Sequence, residues 1–294
     1  MSATRSLSNP PKYYYTLNAK QRRNWRKNTR RIEKNETLKS TYPPFQPSSD
    51  ITIIHIHHLM NISTLNELII KAQQTYPYVF DTEGEKNQQY KKGALIQIQF
   101  IHSTAQSTVI LIETNYLPDR QTVLYEKIEE LWSTIFNHNN EIITWGPIDN
   151  ELEDFRHIEF IHIGNNIDST NLQILFRSWY NEKQRSITHP EMERRDGDDS
   201  NDEEMDGIYD ELNETTYSGT LVVWSLQDAI ATTFNKFLDK SLTVNWWQCG
   251  LDDKLNTWTN EIFSRYDYNE QVEKQQRLTL SILKFQPVLY TYEK

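Results

Sequence analysis

The stretch YVFDTEGEKNQQYKKGALIQIQF, from Tyr78 to Phe100, carries two carboxylates, Asp81 and Glu83, at the end of an otherwise apolar run. Side chains two residues apart on a strand project from the same face, about 6 to 7 Å apart. Two acids on one face of a buried strand require positive charge beside them. Carboxylates at this spacing can ligate one or two hard cations. The alternative interpretation of Asp81 and Glu83 is that they are solvated acids at the end of a strand.

Two carboxylates of this kind suit one class of reaction in particular. Divalent ions held by such acids support hydrolysis of phosphodiesters, which fits FDTE at the carboxyl end of a strand better than protease or glycosidase chemistry does. The spacing alone leaves two interpretations of Asp81 and Glu83 open: ligands of a catalytic divalent cation, or solvated acids at a strand end, which are more common.

Strand and helix patterns alternate around this stretch. A strand is predicted at residues 51 to 58, and apolar residues at a helical period predict a helix at residues 63 to 74. Three β-rich runs follow, in YVFDTE, ALIQIQFI and STVILIETNYL, and then a helical pattern in VLYEKIEELWSTIF and a strand in EIITW. The order predicts an α/β domain whose first three strands form a meander.

The three β-rich runs also resemble a known family. VFDTEGE, KKGALIQIQF and TVILIET resemble the first motif of the four-carboxylate (DEDD) 3'-5' exonucleases of the ribonuclease D type, in which a second strand reads Leu-Ile-Gln-Ile, here Leu95 to Ile98. The segment from Val222 to Leu255 is similar to the family's Leu-rich helix and the turn after it. The resemblance covers most of residues 75 to 260 and implies a ribonuclease H-like α/β fold, a mixed sheet flanked by helices. It also implies that Asp81 and Glu83 are catalytic residues that bind Mg²⁺ or Mn²⁺.

The family's second motif supplies a third carboxylate, and ITWGPIDNELEDF occupies its place. Trp145 and Gly146 stand where the family has a Gly-His-Asn turn. Glu151 matches the acid best, so the resemblance implies that it is a catalytic residue and metal ligand, with Asp149 and Asp154 as alternatives. Acids also favour helix N-termini for electrostatic reasons, which is the ordinary structural interpretation of all three.

The family's last motif is Tyr or His, three residues, then Asp. The corresponding positions are Ser281 and Phe285, while Tyr290 and Glu293 lack the required spacing. We therefore expect a nucleic-acid-binding, 3'-5' exonuclease-like protein whose hydrolysis is weakened or lost. The alternative is a non-catalytic module of the same fold that binds nucleic acid or protein.

Charge is segregated along the chain. Residues 1 to 40 hold eleven Lys and Arg against two Glu, a formal charge of +9. The whole chain has a net charge of −10, so the remaining residues together carry −19. In KQRRNWRKNTRR the basic residues are interleaved with an aromatic ring, a pattern that predicts phosphate binding and base stacking, a nuclear import signal, or a solvated basic tail. The candidate nucleic-acid-binding residues are Arg22, Arg23, Trp25, Arg26, Lys27, Arg30 and Arg31.

Composition also sets the expected domain borders. We predict a basic, mostly disordered tail over residues 1 to 48, ended by the Pro-rich YPPFQPSS, and one exonuclease-like domain over residues 49 to 294. Residues 186 to 216 contain twelve acids against two Arg and are predicted to be a disordered insertion. Its acids lack the spacing of a calcium loop.

Two remaining features restrict the type of protein. The single cysteine, Cys249, excludes an intramolecular disulfide, and with no run of 18 apolar residues we expect a nuclear or cytoplasmic protein that binds single-stranded DNA or RNA and no membrane. His55, His57 and His58 could suggest a metal cluster, but without an acid or Cys nearby in the sequence we favour ordinary structural roles for them.

Overall fold

The structure is a computed structural model that describes residues 6–45, 50–85, 92–161, 167–188, 224–239, 247 and 250–255. Six strands form one sheet, in the order β1-β4-β3-β2-β5-β6. The strands are β1 (Asp50–Ile56), β2 (Tyr78–Glu85), β3 (Lys92–Ser103), β4 (Gln106–Glu113), β5 (Glu141–Thr144) and β6 (Asp168–Asn171). Strand β3 is antiparallel to both its neighbours, and all other pairs are parallel.

The sheet confirms the predicted α/β architecture, a mixed sheet flanked by helices. The three β-rich runs form the antiparallel meander β2-β3-β4, and β1 lies outside it, parallel to β4. In the central strand β3, the residues from Gly93 to Phe100 are all buried. A strand covered on both faces has no solvated side, which explains why GALIQIQF is apolar almost throughout instead of alternating.

Helices cover both faces of this sheet. The described helices are α1 (Ala19–Thr41), α2 (Ile62–Gln73), α3 (Val123–Ile135), α4 (Ile148–Leu152), α5 (Leu172–Thr188) and α6 (Leu226–Phe234). Helices α2, α3 and α4 pack on one face with Phe80, Ile96 and Ile98, and we call it the α2/α3 face. Helices α5 and α6 pack on the other face with Val79 and Leu95, and we call it the α5/α6 face.

The helix termini follow from local sequence. Asn61 caps α2, since its side chain accepts a hydrogen bond from the Ser63 N–H. Ser225 caps α6 in the same way, through the Asp228 N–H. Within the described ranges, each helix is too short or too polar to cross a membrane.

The N-terminal segment differs from the expected disordered tail. Helix α1 spans 23 residues and begins with a capping box in which Asn18 and Gln21 bond each other's backbone N–H groups. It is held against the domain because Lys34 bonds Asp228 at 2.5 Å and Asn35 bonds Asp239 at 3.1 Å. Composition predicted disorder because the segment is so basic, but a buried inner stripe along the helix allows it to pack.

Candidate functional site

Asp81 and Glu83 lie on β2, next to the centre of the sheet, as the sequence predicts. Asp81 is paired with Gln97 of β3, and Glu83 is paired with Leu95. Paired residues in a sheet share a face, so both acids project from the α5/α6 face, where Leu95 is buried. Both side chains are partly buried, and a β-bulge between Glu83 and Gly84 follows directly.

Thr82, the residue between these two acids, holds Glu151. The Thr82 hydroxyl donates a hydrogen bond to Oε2 of Glu151 at 2.5 Å. Thr82 is paired with Ile96, so its side chain projects from the α2/α3 face, opposite Asp81 and Glu83. Burial raises the pKa of the Glu151 carboxyl, the Thr82 hydrogen bonds lower it in part, and the nearby charge of Asp154 raises it further.

The alternative acids lie in the same short segment. Asp149 is exposed in the first turn of α4. A carboxylate oxygen of Asp154 lies only 3.3 Å from where a Cβ on Gly84 would stand. The 3₁₀ turn Glu153–Phe155 approaches this closely because Gly84 and Gly93 face each other across β2 and β3, and Phe155 lies over Gly93.

The segment predicted to supply the third acid is therefore brought beside β2, but mainly from the other side of the sheet. In the part of the chain that the structure describes, no group of three or more His, Cys, Asp and Glu side chains is arranged to hold a metal ion. The metal assignment of Asp81 and Glu83, and that of Glu151, stay predictions. The positions predicted for the last motif, Ser281 and Phe285, lie outside the described residues. Residues 189 to 216 of the predicted acidic insertion also lie outside them, and residues 186 to 188 belong to α5.

The three histidines each have a protein partner. His55 Nδ1 lies 3.1 Å from the buried carboxylate of Glu113, His57 Nε2 lies 2.9 Å from Asp252, and His58 bonds the Tyr116 carbonyl. Glu113 and Asp252 are thus close to these histidines in space, although both are far from them in the sequence. The described residues nonetheless form no metal-binding group around them.

Glu113 is a residue that the sequence analysis missed. It is 3% exposed and accepts hydrogen bonds from the backbone N–H groups of Leu251 at 2.7 Å and Asp252 at 3.1 Å. Burial alone would raise the pKa of Asp252, but hydrogen bonds from Lys254 and His57 lower it by more. The cluster connects residues 250–255 to the ends of β1 and β4. The sequence signal that could have identified Glu113 is a Glu at the end of an apolar strand.

The basic residues of α1 divide between two sides of the helix. Arg23, Lys27 and Arg30 are exposed and line one shallow concavity together with Lys20 and Asn24. Arg31 is also exposed, and Arg22 is half-buried.

Trp25 lies on the inner side, contrary to the expected role in base stacking. It is 8% exposed, its ring centroid is 4.7 Å from that of Tyr14, and its Nε1 donates to the Tyr13 hydroxyl. The adjacent Arg26 donates to the Tyr14 hydroxyl at 2.5 Å. Trp25 therefore holds the 3₁₀ turn Lys12–Thr16 against α1, and its ring is not available to stack on a base.

The solved structures to which this chain is similar include one EXO domain and two RNase D proteins. The EXO domain of Nibbler from Aedes aegypti is 12% identical, and the match covers 84% of this chain and 90% of that chain with a TM-score of 0.46. RNase D from Escherichia coli, described as an exoribonuclease involved in structured RNA processing, is 12% identical, with 83% and 44% covered and a TM-score of 0.43. RNase D from Trypanosoma brucei in complex with RNA U12 is 11% identical, with 48% and 42% covered and a TM-score of 0.30.

The likeness to these structures concerns the fold, and the chain spans less than half of the E. coli protein. No protein-family model and no curated protein matches the sequence. The comparisons thus show a likeness of this chain to the Nibbler EXO domain and to E. coli RNase D, in each case at 12% identity.

Proposed function

We propose that this protein binds single-stranded nucleic acid and keeps a weakened 3'-5' exonuclease-like site, in which Asp81 and Glu83 bind Mg²⁺ or Mn²⁺. The observation that carries the proposal is the position of these two carboxylates, two residues apart on one face of β2. Hard divalent cations prefer oxygen ligands of this type.

The residues on this face suit a hydrated cation in a second respect. Gln97, paired with Asp81, is fully buried, and its side-chain amide has no hydrogen-bond partner among the described residues. An unsatisfied amide beside a carboxylate is a position where a bound ion with its water would supply the missing partners. Such an ion would contribute Lewis-acid stabilisation of a phosphodiester.

Two features support weak rather than efficient hydrolysis. Ser281 and Phe285 stand where the family has Tyr or His and Asp, so these positions supply no fourth carboxylate. Glu151 is bound to Thr82 on the opposite face from Asp81. Because phosphodiester hydrolysis depends on carboxylates that fix both ions and on a positioned water, such losses cost orders of magnitude in rate.

The exposed basic side of α1 is the proposed backbone-binding surface. Arg23, Lys27 and Arg30 recur every three or four residues and would contact successive phosphates. This surface recognises charge, so the proposal covers both single-stranded RNA and single-stranded DNA. A nuclear or cytoplasmic location is part of the same proposal.

The second candidate is a binding module without catalysis. It is favoured by the lack of a group of three metal-binding side chains in the described part of the chain. On this alternative, Asp81 and Glu83 would be strand-end acids, and nucleic acid would bind through α1 alone.

Fluorescence anisotropy distinguishes the two candidates. Labelled single-stranded RNA and DNA are titrated with the wild type and with the double variant Asp81→Asn, Glu83→Gln, in Mn²⁺ and in EDTA. We expect Mn²⁺ to raise the affinity of the wild type several-fold and to have no such effect on the variant. Binding that is equally insensitive to Mn²⁺ in both proteins would favour the binding module, and no binding at all would refute both.

A further inference from the structure

Gln97 is an unusual residue for the middle of a sheet. It lies on the central strand β3 and is 0% exposed. Both polar atoms of its side chain, Nε2 and Oε1, have no hydrogen-bond partner among the residues that the structure describes. Buried side-chain amides are nearly always bonded, so this one calls for an explanation.

The position of Gln97 relates it to the proposed cation site. It is directly opposite Asp81 on β2 and Leu111 on β4, so the three side chains form a row on the α5/α6 face. The Cβ atoms of directly opposite residues in an antiparallel pair are about 5 Å apart. A Gln side chain can span that gap and reach a carboxylate on the neighbouring strand.

The next polar residue on the same strand, Gln99, is a useful comparison because its amide N–H has a partner and that of Gln97 has none in the described part of the chain. Gln99 is 2% exposed and shares the face. Its Nε2 donates to the Ser107 hydroxyl at 2.9 Å, whereas its Oε1 has no partner among the described residues. Its partner on β2 is Val79, which has no charge. The amide with both atoms unpaired is therefore the one opposite the acid.

An apolar residue of the same shape would fill this position at lower free energy, because a buried amide without partners loses its hydrogen bonds to water. The residue is thus poorly explained by folding alone. Carboxylates that ligate metals are themselves commonly hydrogen-bonded by a neighbouring group, which fixes their orientation.

We propose that Gln97 is a positioning residue for Asp81, whose amide N–H donates to the Asp81 carboxylate when a divalent cation binds there. The amide oxygen is then left to accept a hydrogen bond from water in the cation's shell. The inference rests on the proposed function, because it needs a cation at Asp81. It goes beyond that function by assigning a role to a side chain that does not touch the ion.

The test compares two substitutions on one strand. Gln97→Met and Gln99→Met remove an amide while keeping an unbranched side chain of similar size, and Asp81→Asn reports whether a site exists. Mn²⁺ binding is measured by electron paramagnetic resonance of the free ion, and stability without metal is measured by urea unfolding. We expect Gln97→Met to weaken Mn²⁺ binding about tenfold or more and to leave the urea midpoint unchanged or higher, whereas Gln99→Met leaves Mn²⁺ binding unchanged.

The outcomes separate this inference from the proposed function. If Asp81→Asn abolishes Mn²⁺ binding but Gln97→Met does not weaken it, the role of Gln97 is wrong and the cation site stands. If the wild type shows no Asp81-dependent Mn²⁺ binding, both are wrong. If Gln97→Met does not fold, Gln97→Leu is measured in its place, and failure of both to fold would show that the amide serves folding and would overturn the inference.

Discussion

Thr82 donates a hydrogen bond to the Glu151 carboxylate on one face of β2, while its two neighbours, Asp81 and Glu83, project from the other face. The sheet thus lies between Glu151 on one side and the pair Asp81 and Glu83 on the other. This relationship determines whether Glu151 can act with the other two, and it predicts how Glu151 responds to pH.

Replacement of Glu151 by Gln should change the pH dependence of stability. Because burial raises its pKa above the ordinary 4.5, the folded protein keeps this proton to higher pH than the unfolded chain does. Its contribution to stability is therefore complete below pH 4.5 and is lost as the pH rises through the folded pKa. Urea unfolding from pH 4.5 to 8 should show this loss in the wild type and not in Glu151→Gln.

A companion variant tests the hydrogen bond itself. Thr82→Val removes a donor that favours the charged form, so the pKa of Glu151 should rise further and the loss should extend to higher pH. At neutral pH we expect the variant to be less stable by about 1 to 2 kcal/mol. Parallel stability curves for all three proteins would contradict this account of Glu151.

The close contact between Phe155 and the β2–β3 hairpin predicts a second effect. A Cβ on Gly93 would lie 2.3 Å from the Phe155 ring, so Gly93→Ala should lower the free energy of unfolding by about 3 kcal/mol. The same substitution in a Phe155→Leu background should cost much less, since the smaller side chain leaves room. Additive effects in the double-mutant cycle would show that Phe155 does not lie over Gly93.

The inner face of α1 predicts that Trp25 serves structure. Trp25→Ala should lower the unfolding free energy by about 3 kcal/mol and speed amide hydrogen exchange across Ala19–Thr41. Affinity for single-stranded RNA in the folded fraction should stay within about twofold. Lys27→Ala is the matched variant on the outer side of the helix. We expect it to keep the stability of the wild type and to bind single-stranded RNA more weakly. Loss of affinity in Trp25→Ala without loss of stability would instead restore the stacking role.

The outer face of α1 predicts a salt-dependent affinity. Neutralising Arg23, Lys27 and Arg30 to Gln should reduce the slope of log affinity against log salt by about 2, because each phosphate contact to a single strand contributes about 0.7. The charge-matched control is a triple Gln variant at three basic residues elsewhere on the surface, Lys71, Arg156 and Arg177. Equal slopes in the two triple variants would remove α1 from the binding surface.

The sequence predicted the sheet better than it predicted the site. The spacing of apolar residues and the order of the segments were sufficient to predict the meander. A strand that is buried on both faces has a continuous apolar run in its sequence, as residues 93–100 do. The position of Asp81 and Glu83 on one face followed from strand alternation alone.

The errors concern contacts between distant parts of the chain. The docking of α1 depends on Asn35 and Asp239, which are 204 residues apart, and composition carries no signal of it. The bond between Thr82 and Glu151 likewise depends on how α4 reaches β2, and no local pattern specifies that. Glu113 was missed for the same reason, since its partners Leu251 and Asp252 lie far along the chain.

The most direct test of the central claim is a digestion assay with 3' and 5' end-labelled single-stranded RNA and DNA. The purified chain is incubated with each in Mg²⁺ and in Mn²⁺, beside Asp81→Ala, after binding of the wild type has been confirmed in EDTA. We predict that the wild type binds the oligonucleotides but shortens them slowly or not at all. Rapid shortening from the 3' end that disappears in Asp81→Ala would contradict the weakened site and would mean that a further acid completes it.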